Sequence, residues 1–149
     1  FTIAHSITLV LATLGVVALS QSAVEAVIAA SLVLLAVEAV RAQNGVEGLT
    51  AKAPWSVAFG FGLLHGFGFA GALRELGLPQ ADLPLALASF NIGVELGQLA
   101  FVGVWVAAGL VLERIGRESP SWAPRLAAYA IGVPATYWMI ERVATIMRL

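Results

Sequence analysis

The chain has 149 residues, of which 60% are hydrophobic and 11% charged, with a net charge of −1 and a mean hydropathy of +0.91. Soluble domains carry about 25% charged residues, so this composition leaves too few to cover a water-facing surface, and it offers no basic field for nucleic acid. There is no cysteine, which excludes disulfides and thiolate metal ligands.

The first apolar run, residues 1–19, opens "FTIAHSITLVLA" and predicts a helix that stops at the polar "SQS". It carries one of the two histidines, His5, beside Ser6 and Thr8. No basic leader precedes it, and the chain is expected to begin inside a longer protein.

The second helix is expected over residues 22–41. Its "SAVE" has the form of a capping box, with Ser22 as the cap and Glu25 reaching back. Glu38 stands one turn before Arg41, a spacing that suits an interfacial ion pair. The polar stretch "AQNGVEGLTAKAP" reads as a loop up to the next helix.

The third helix, residues 54–76, starts at Pro54, a residue favoured at the first helical position. Its centre reads "FGLLHGFGFAG", residues 61–71, and places His65 among Gly60, Gly62, Gly66, Gly68 and Gly71. Such glycines weaken a helix in water but permit close helix contact in a bilayer. His65 is then either a packed histidine bonded to a backbone carbonyl or the functional centre of the segment.

The fourth helix, residues 84–114, is longer than a bilayer needs, which implies tilt or protrusion. In "FNIGVELGQ", Asn91, Glu95 and Gln98 stand at i, i+4 and i+7 and share one face. Gly93 and Gly97 form a small-xxx-small pair on another face, a seat for a further helix. The fifth helix, residues 124–147, contains Pro134, an expected kink, and ends near Glu141 and Arg142.

These runs are near the roughly 17–25 residues that span a bilayer. They predict an all-α fold: a single-domain, polytopic transmembrane helix bundle with five helices in this chain. Lys and Arg are commoner beside the second and fourth loops (Arg41, Lys52, Arg114, Arg117, Arg125) than on the other side (Arg74, Arg142, Arg148), which orients the former to the cytoplasm. Trp55, Trp122 and Tyr129 near helix starts fit an interfacial aromatic belt.

Polar groups inside apolar helices carry the functional signal, because an ionisable side chain at mid-bilayer costs about 2.5–3.5 kcal/mol on insertion scales. His5, Glu25, Glu38, His65, Asn91, Glu95 and Gln98 are the candidates. Two imidazoles and the Glu95 carboxylate, if packing gathers them, would make a transition-metal site, with Asn91 or Gln98 as ligand or orienting group. Glu25 serves either the capping box or a pore mouth. Glu141, beside Arg142 at a helix end, can snorkel and reads as structural.

Taken in order, "FTIAHSITLVLA", "VEAVIAASLVLLAVEAV", "FGLLHGFGFAG" and "FNIGVELGQL" resemble the HupE/UreJ family of bacterial membrane proteins over essentially the whole chain. The resemblance implies a multi-pass protein of the bacterial inner membrane that moves a transition-metal ion, chiefly Ni2+, as its substrate, with no tightly bound cofactor and no enzymatic activity. By position, His5 falls in the family's AHS-T motif, His65 in its LHG-GFA motif, and Asn91 and Glu95 in its FN-GVE-GQ motif. Glu25 and Glu38 match acidic positions of its second segment. The family also has an upstream helix with a Gly-x-Asp-His pattern, absent here, which would bring the full protein to six spans.

Partners implied are the lipid bilayer, the metal ion, and a homo-oligomer or larger membrane complex; nucleic acid is not among them. Two rival functions remain open in the sequence. One is an intramembrane zinc hydrolase using His5, Ser6 and His65. The other is a non-catalytic accessory subunit whose polar residues act as helix glue. No "GKS" or "GKT" is present, so the chain has no phosphate-binding loop of its own.

Overall fold

A computed structural model of the chain describes residues 1–75, 79, 81–116 and 120–148. The expected end of the third helix at Leu76, most of the turn after it, Arg117 and the side chain of Arg74 lie outside the described residues. Those described form six helices and no strand: α1 (Thr2–Thr13), α2 (Gln21–Gln43), α3 (Leu49–Lys52), α4 (Pro54–Glu75), α5 (Leu83–Arg114) and α6 (Ala123–Met147). The all-α expectation holds.

Departures from expectation include the end of α1, the start of α2 and the stretch before α4. α1 stops at Thr13 instead of residue 19, because Gly15 adopts φ 75°. The amide of Gly15 donates to the Ala12 carbonyl at 3.1 Å, and that of Val16 to Leu11 at 3.0 Å. This is a Schellman ending, in which a left-handed glycine closes off the last carbonyls. The same device ends α2, with Gly45 at φ 76° and Val46 donating to Arg41 at 3.1 Å.

α2 starts at Gln21 with Ser20 as its cap residue and no side-chain cap bond. The capping box on Ser22 and Glu25 does not form, since Ser22 is already inside the helix. The loop expected over 42–53 contains a short helix, α3. Its first amides face the carboxylate of Glu38: Leu49 and Thr50 donate to it, each at 2.7 Å, and the Thr50 hydroxyl donates as well. A carboxylate at a helix N-terminus satisfies orphan N–H groups and complements the helix dipole.

The chain divides into two units, Phe1–Leu78 with Pro124–Leu149, and Pro79–Ala123. In the first, α1 packs on α4 through glycine. A methyl group at Gly62 would strike the Phe1 carbonyl and Ala4, and one at Gly66 would strike the Thr8 hydroxyl, the His5 carbonyl and the Leu9 amide. Residues rise together along both helices, so α1 and α4 run parallel. Gly68 and Gly71 instead face Ile28 and Gln21 of α2. The α2 start therefore lies at the end of α4, and these two are antiparallel.

α2 and α6 are antiparallel as well. The Glu25 carboxylate pairs with Arg142, Ala36 touches the Cα region of Gly132, and Asn44 accepts from Arg125 at 3.2 Å. Pro134 lies inside α6, and the helix continues through it.

The second unit is dominated by α5, 32 residues long. Large apolar side chains on all sides of it are exposed, among them Leu85, Ile92, Leu96, Phe101 and Trp105. A helix apolar all round needs an apolar surrounding. Among the described residues, α2 and α5 are the helices long and apolar enough to cross a membrane. α1, with 12 residues, rises only about 18 Å against a hydrocarbon core of about 30 Å.

Candidate functional site

The glycine face of α4 decides how His5 is enclosed. Because Gly62 and Gly66 carry no side chain, the backbone of α1 settles directly on α4. His5 is thereby enclosed, with 0% of its surface exposed, and His65 is half-buried. Phe1 contacts both imidazoles. Its ring stacks on His5 at 5.6 Å between centroids and meets His65 edge-on, also at 5.6 Å. Phe69 closes His5 from another side at 5.6 Å, and Phe61 lies 6.5 Å from His65. All four separations fall in the range of favourable ring contacts.

The His65 ring is oriented by its own helix. Nδ1 lies 2.7 Å from the Phe61 carbonyl oxygen. A carbonyl only accepts, so Nδ1 carries the hydrogen and donates it. In the neutral imidazole the lone pair then sits on Nε2. That arrangement, one ring nitrogen bonded to a carbonyl and the other presented as a base, is the one metal-binding histidines commonly use.

The hydroxyls beside His5 turn back onto α1. Ser6 donates to the Thr2 carbonyl at 2.7 Å. Thr8 donates to the carbonyls of Ala4 and His5 at 3.2 and 3.3 Å. Thr8 is also what a side chain at Gly66 would hit, so it belongs to the helix contact.

Glu25 and Glu38 are held elsewhere. Glu25 Oε2 lies 2.9 Å from Arg142 Nε, and Glu25 Oε1 accepts from Gln21 Nε2 at 2.9 Å. Gln21 in turn donates to the Gly68 carbonyl at 3.2 Å. This polar chain ties the start of α2 to α4 and to the end of α6. Glu38, at the other end of α2, is hydrogen-bonded by α3 while it also feels the charge of the expected partner Arg41.

On α5, Asn91 and Glu95 are half-buried and Gln98 is exposed. Asn91 Nδ2 donates to the Leu87 carbonyl at 2.9 Å. His5 and His65 thus share one aromatic neighbour, Phe1, in the first unit, while Asn91, Glu95 and Gln98 line a face of α5 in the second. Among the described residues, no three His, Asp or Glu side chains are grouped as metal ligands.

Sequence reasoning missed Gln21, Arg142 and the aromatic shell of Phe1, Phe61 and Phe69. The i, i+4 spacing of Gln21 and Glu25, and that of Phe61 and His65, held the signal for two of these. Arg142 reaches Glu25 only through tertiary packing.

No curated protein matches the chain, and no solved structure does. A family model described as HupE / UreJ protein matches residues 1–142, with the two histidines, the Glu25 network and the α5 polar face all inside that span. The chain belongs to the HupE / UreJ family.

Proposed function

We propose that this chain is a permease for a divalent transition-metal ion, nickel foremost, in the bacterial inner membrane. The HupE / UreJ family points to a nickel or cobalt transport or accessory role, and the length and apolar character of α2 and α5 support membrane placement. The observation that supports the permease reading is that the chain's two histidines both contact the Phe1 ring beside the α1–α4 packing, with His65 presenting Nε2.

A polytopic bundle is part of this proposal. The directions within the first unit support it, since α1 and α4 run one way and α2 the other, as successive bilayer crossings require. α6 opposes α2, as a further crossing would. Trp55, Trp122 and Tyr129, all exposed, suit a belt at the bilayer surface.

In the transport step, the ion exchanges water for the imidazoles of His5 and His65. Neutral nitrogen donors suit a first-row ion and let it leave again, which a conducting site requires. Glu95 and Asn91 join the path on chemical grounds: a carboxylate kept inside an apolar helix is costly unless it is used, and it supplies charge that the imidazoles lack. Gln98 extends that face. The paired Glu25 is a mouth residue whose charge is balanced by Arg142, and Glu38 stays with α3.

Cells producing the full-length protein should accumulate nickel, and His5→Ala, His65→Ala and Glu95→Gln should each abolish the gain. Glu38→Gln should retain it. Unchanged accumulation in both histidine variants sinks the permease reading.

A further inference from the structure

A groove between α2 and α6 is lined by neither histidine. It holds about 400 Å3 and is walled by Val37, Val40 and Arg41 from α2 and by Tyr129, Val133 and Thr136 from α6. Its volume is in the range of small-molecule sites. Most of the wall is aliphatic, while one end is cationic. Arg41 lies in the last turn of α2, where a spanning helix meets the head groups. Arg125 is one turn before Tyr129 on α6 and reaches the same end, since its Nη2 donates to Asn44, the cap of α2.

We propose that this groove binds one acyl chain of an anionic phospholipid, with the phosphate against Arg41 and Arg125. The inference rests on membrane placement of α2 and not on metal transport. A guanidinium presents five N–H donors, so the bond from Nη2 to Asn44 leaves Arg125 with donors for a phosphate oxygen. The nearby carboxylate of Glu38 is turned to the amides of Leu49 and Thr50. Glu38 also feels the charge of Arg41, which leaves the pair of guanidiniums balanced by one phosphodiester and with nothing to hold the extra ammonium of a zwitterionic head group. Basic pockets between transmembrane helices act in this way.

A second groove sharpens the claim. It holds about 460 Å3 between Leu34 of α2 and Gly60, Phe61 and Leu64 of α4, and no charged residue lines it. It suits an acyl chain equally well but has nothing to select a head group. Selectivity therefore belongs to Arg41 and Arg125.

The test uses full-length protein in detergent, mixed with equal phosphatidylglycerol and phosphatidylcholine, and reads retained lipid by native mass spectrometry. Wild type should retain phosphatidylglycerol preferentially. Arg41→Gln should lower that preference about fivefold, the loss expected for one arginine at a membrane surface, and Arg114→Gln on α5 should leave it intact. Val133→Trp should fill the groove and reduce retention of phosphatidylglycerol. Equal retention of both lipids by wild type, or an undiminished preference in Arg41→Gln, overturns the proposal. So does a dimer of the wild type that Val133→Trp dissolves, because the groove would then seat a second copy. Arg41 is exposed, so its substitution remains decisive should the tryptophan variant fail to fold.

Discussion

α4 and α5 look alike as strings of letters: apolar, studded with glycines, each holding polar residues that a bilayer would reject. Most of their glycines differ in use within their own units. Side chains added at Gly62, Gly66, Gly68 and Gly71 of α4 would collide with α1 or α2, whereas within the second unit those added at Gly93, Gly97, Gly103 and Gly109 of α5 would meet none of the described residues. Glycine spacing announces where a helix is able to approach. On α4 that capacity is used, and it is what encloses His5 and sets it near His65.

The contrast is easiest to break at Gly66. Gly66→Leu would force backbone atoms of α1 away from α4, and overpacking of this kind costs about 1–3 kcal/mol or more. Here the obstacle is main chain, which has little room to yield. We expect the variant to be lost from membranes or to melt well below wild type, with nickel accumulation lost alongside. Wild-type thermal unfolding in detergent would show that the α1–α4 contact is looser than described.

A smaller effect is expected at Glu38. Glu38→Ala leaves the part-buried amides of Leu49 and Thr50 without their acceptor and should lower the melting temperature. Glu38→Gln keeps an acceptor and should recover part of the loss. Thermal melts of the two variants separate this capping role from a ligand role, which would instead show in transport without a stability change.

Smaller again is the Glu25–Arg142 pair. Its side chains are 21% and 33% exposed, so water screens it, and exposed pairs contribute about 0.2–1 kcal/mol. A double-mutant cycle with Glu25→Gln and Arg142→Gln should return a coupling in that range. A coupling near zero would mean that the polar chain through Gln21 does not fasten α6.

The least effect belongs to α5. Gly93→Ala should be neutral or stabilising by up to about 1 kcal/mol, the helix-propensity gain of alanine over glycine. A large destabilisation would show that Gly93 is a contact point like Gly66.

Much of the helical frame was legible in the sequence. Apolar runs and the Pro54 start located α4, α5 and α6 within a residue or so, because long hydrophobic segments leave few alternatives. α1 was overextended because "LATLGVVALS" stays apolar past Gly15. The stop there is conformational, a left-handed glycine, and hydropathy does not register it. The helix α3 hid in a polar stretch because its stability comes from Glu38, eleven residues before Leu49. Capping by a distant carboxylate leaves no local pattern.

The candidate site was legible in part. Two histidines confined to apolar helices were the signal, and both of them touch the Phe1 ring. Partner choice was not: Glu25 turns to Arg142 and Glu38 to α3, since each charged group is claimed by whatever the tertiary fold brings nearest. The aromatic neighbours of the histidines were equally hidden, as phenylalanines in apolar helices carry no mark that separates core from site.

The most direct test of the account is X-ray absorption spectroscopy at the nickel edge on metal-loaded, full-length protein. We expect imidazole scattering from wild type, and one imidazole fewer in His5→Ala and in His65→Ala. An unchanged imidazole contribution in both variants would contradict the claim that these two rings serve the same ion.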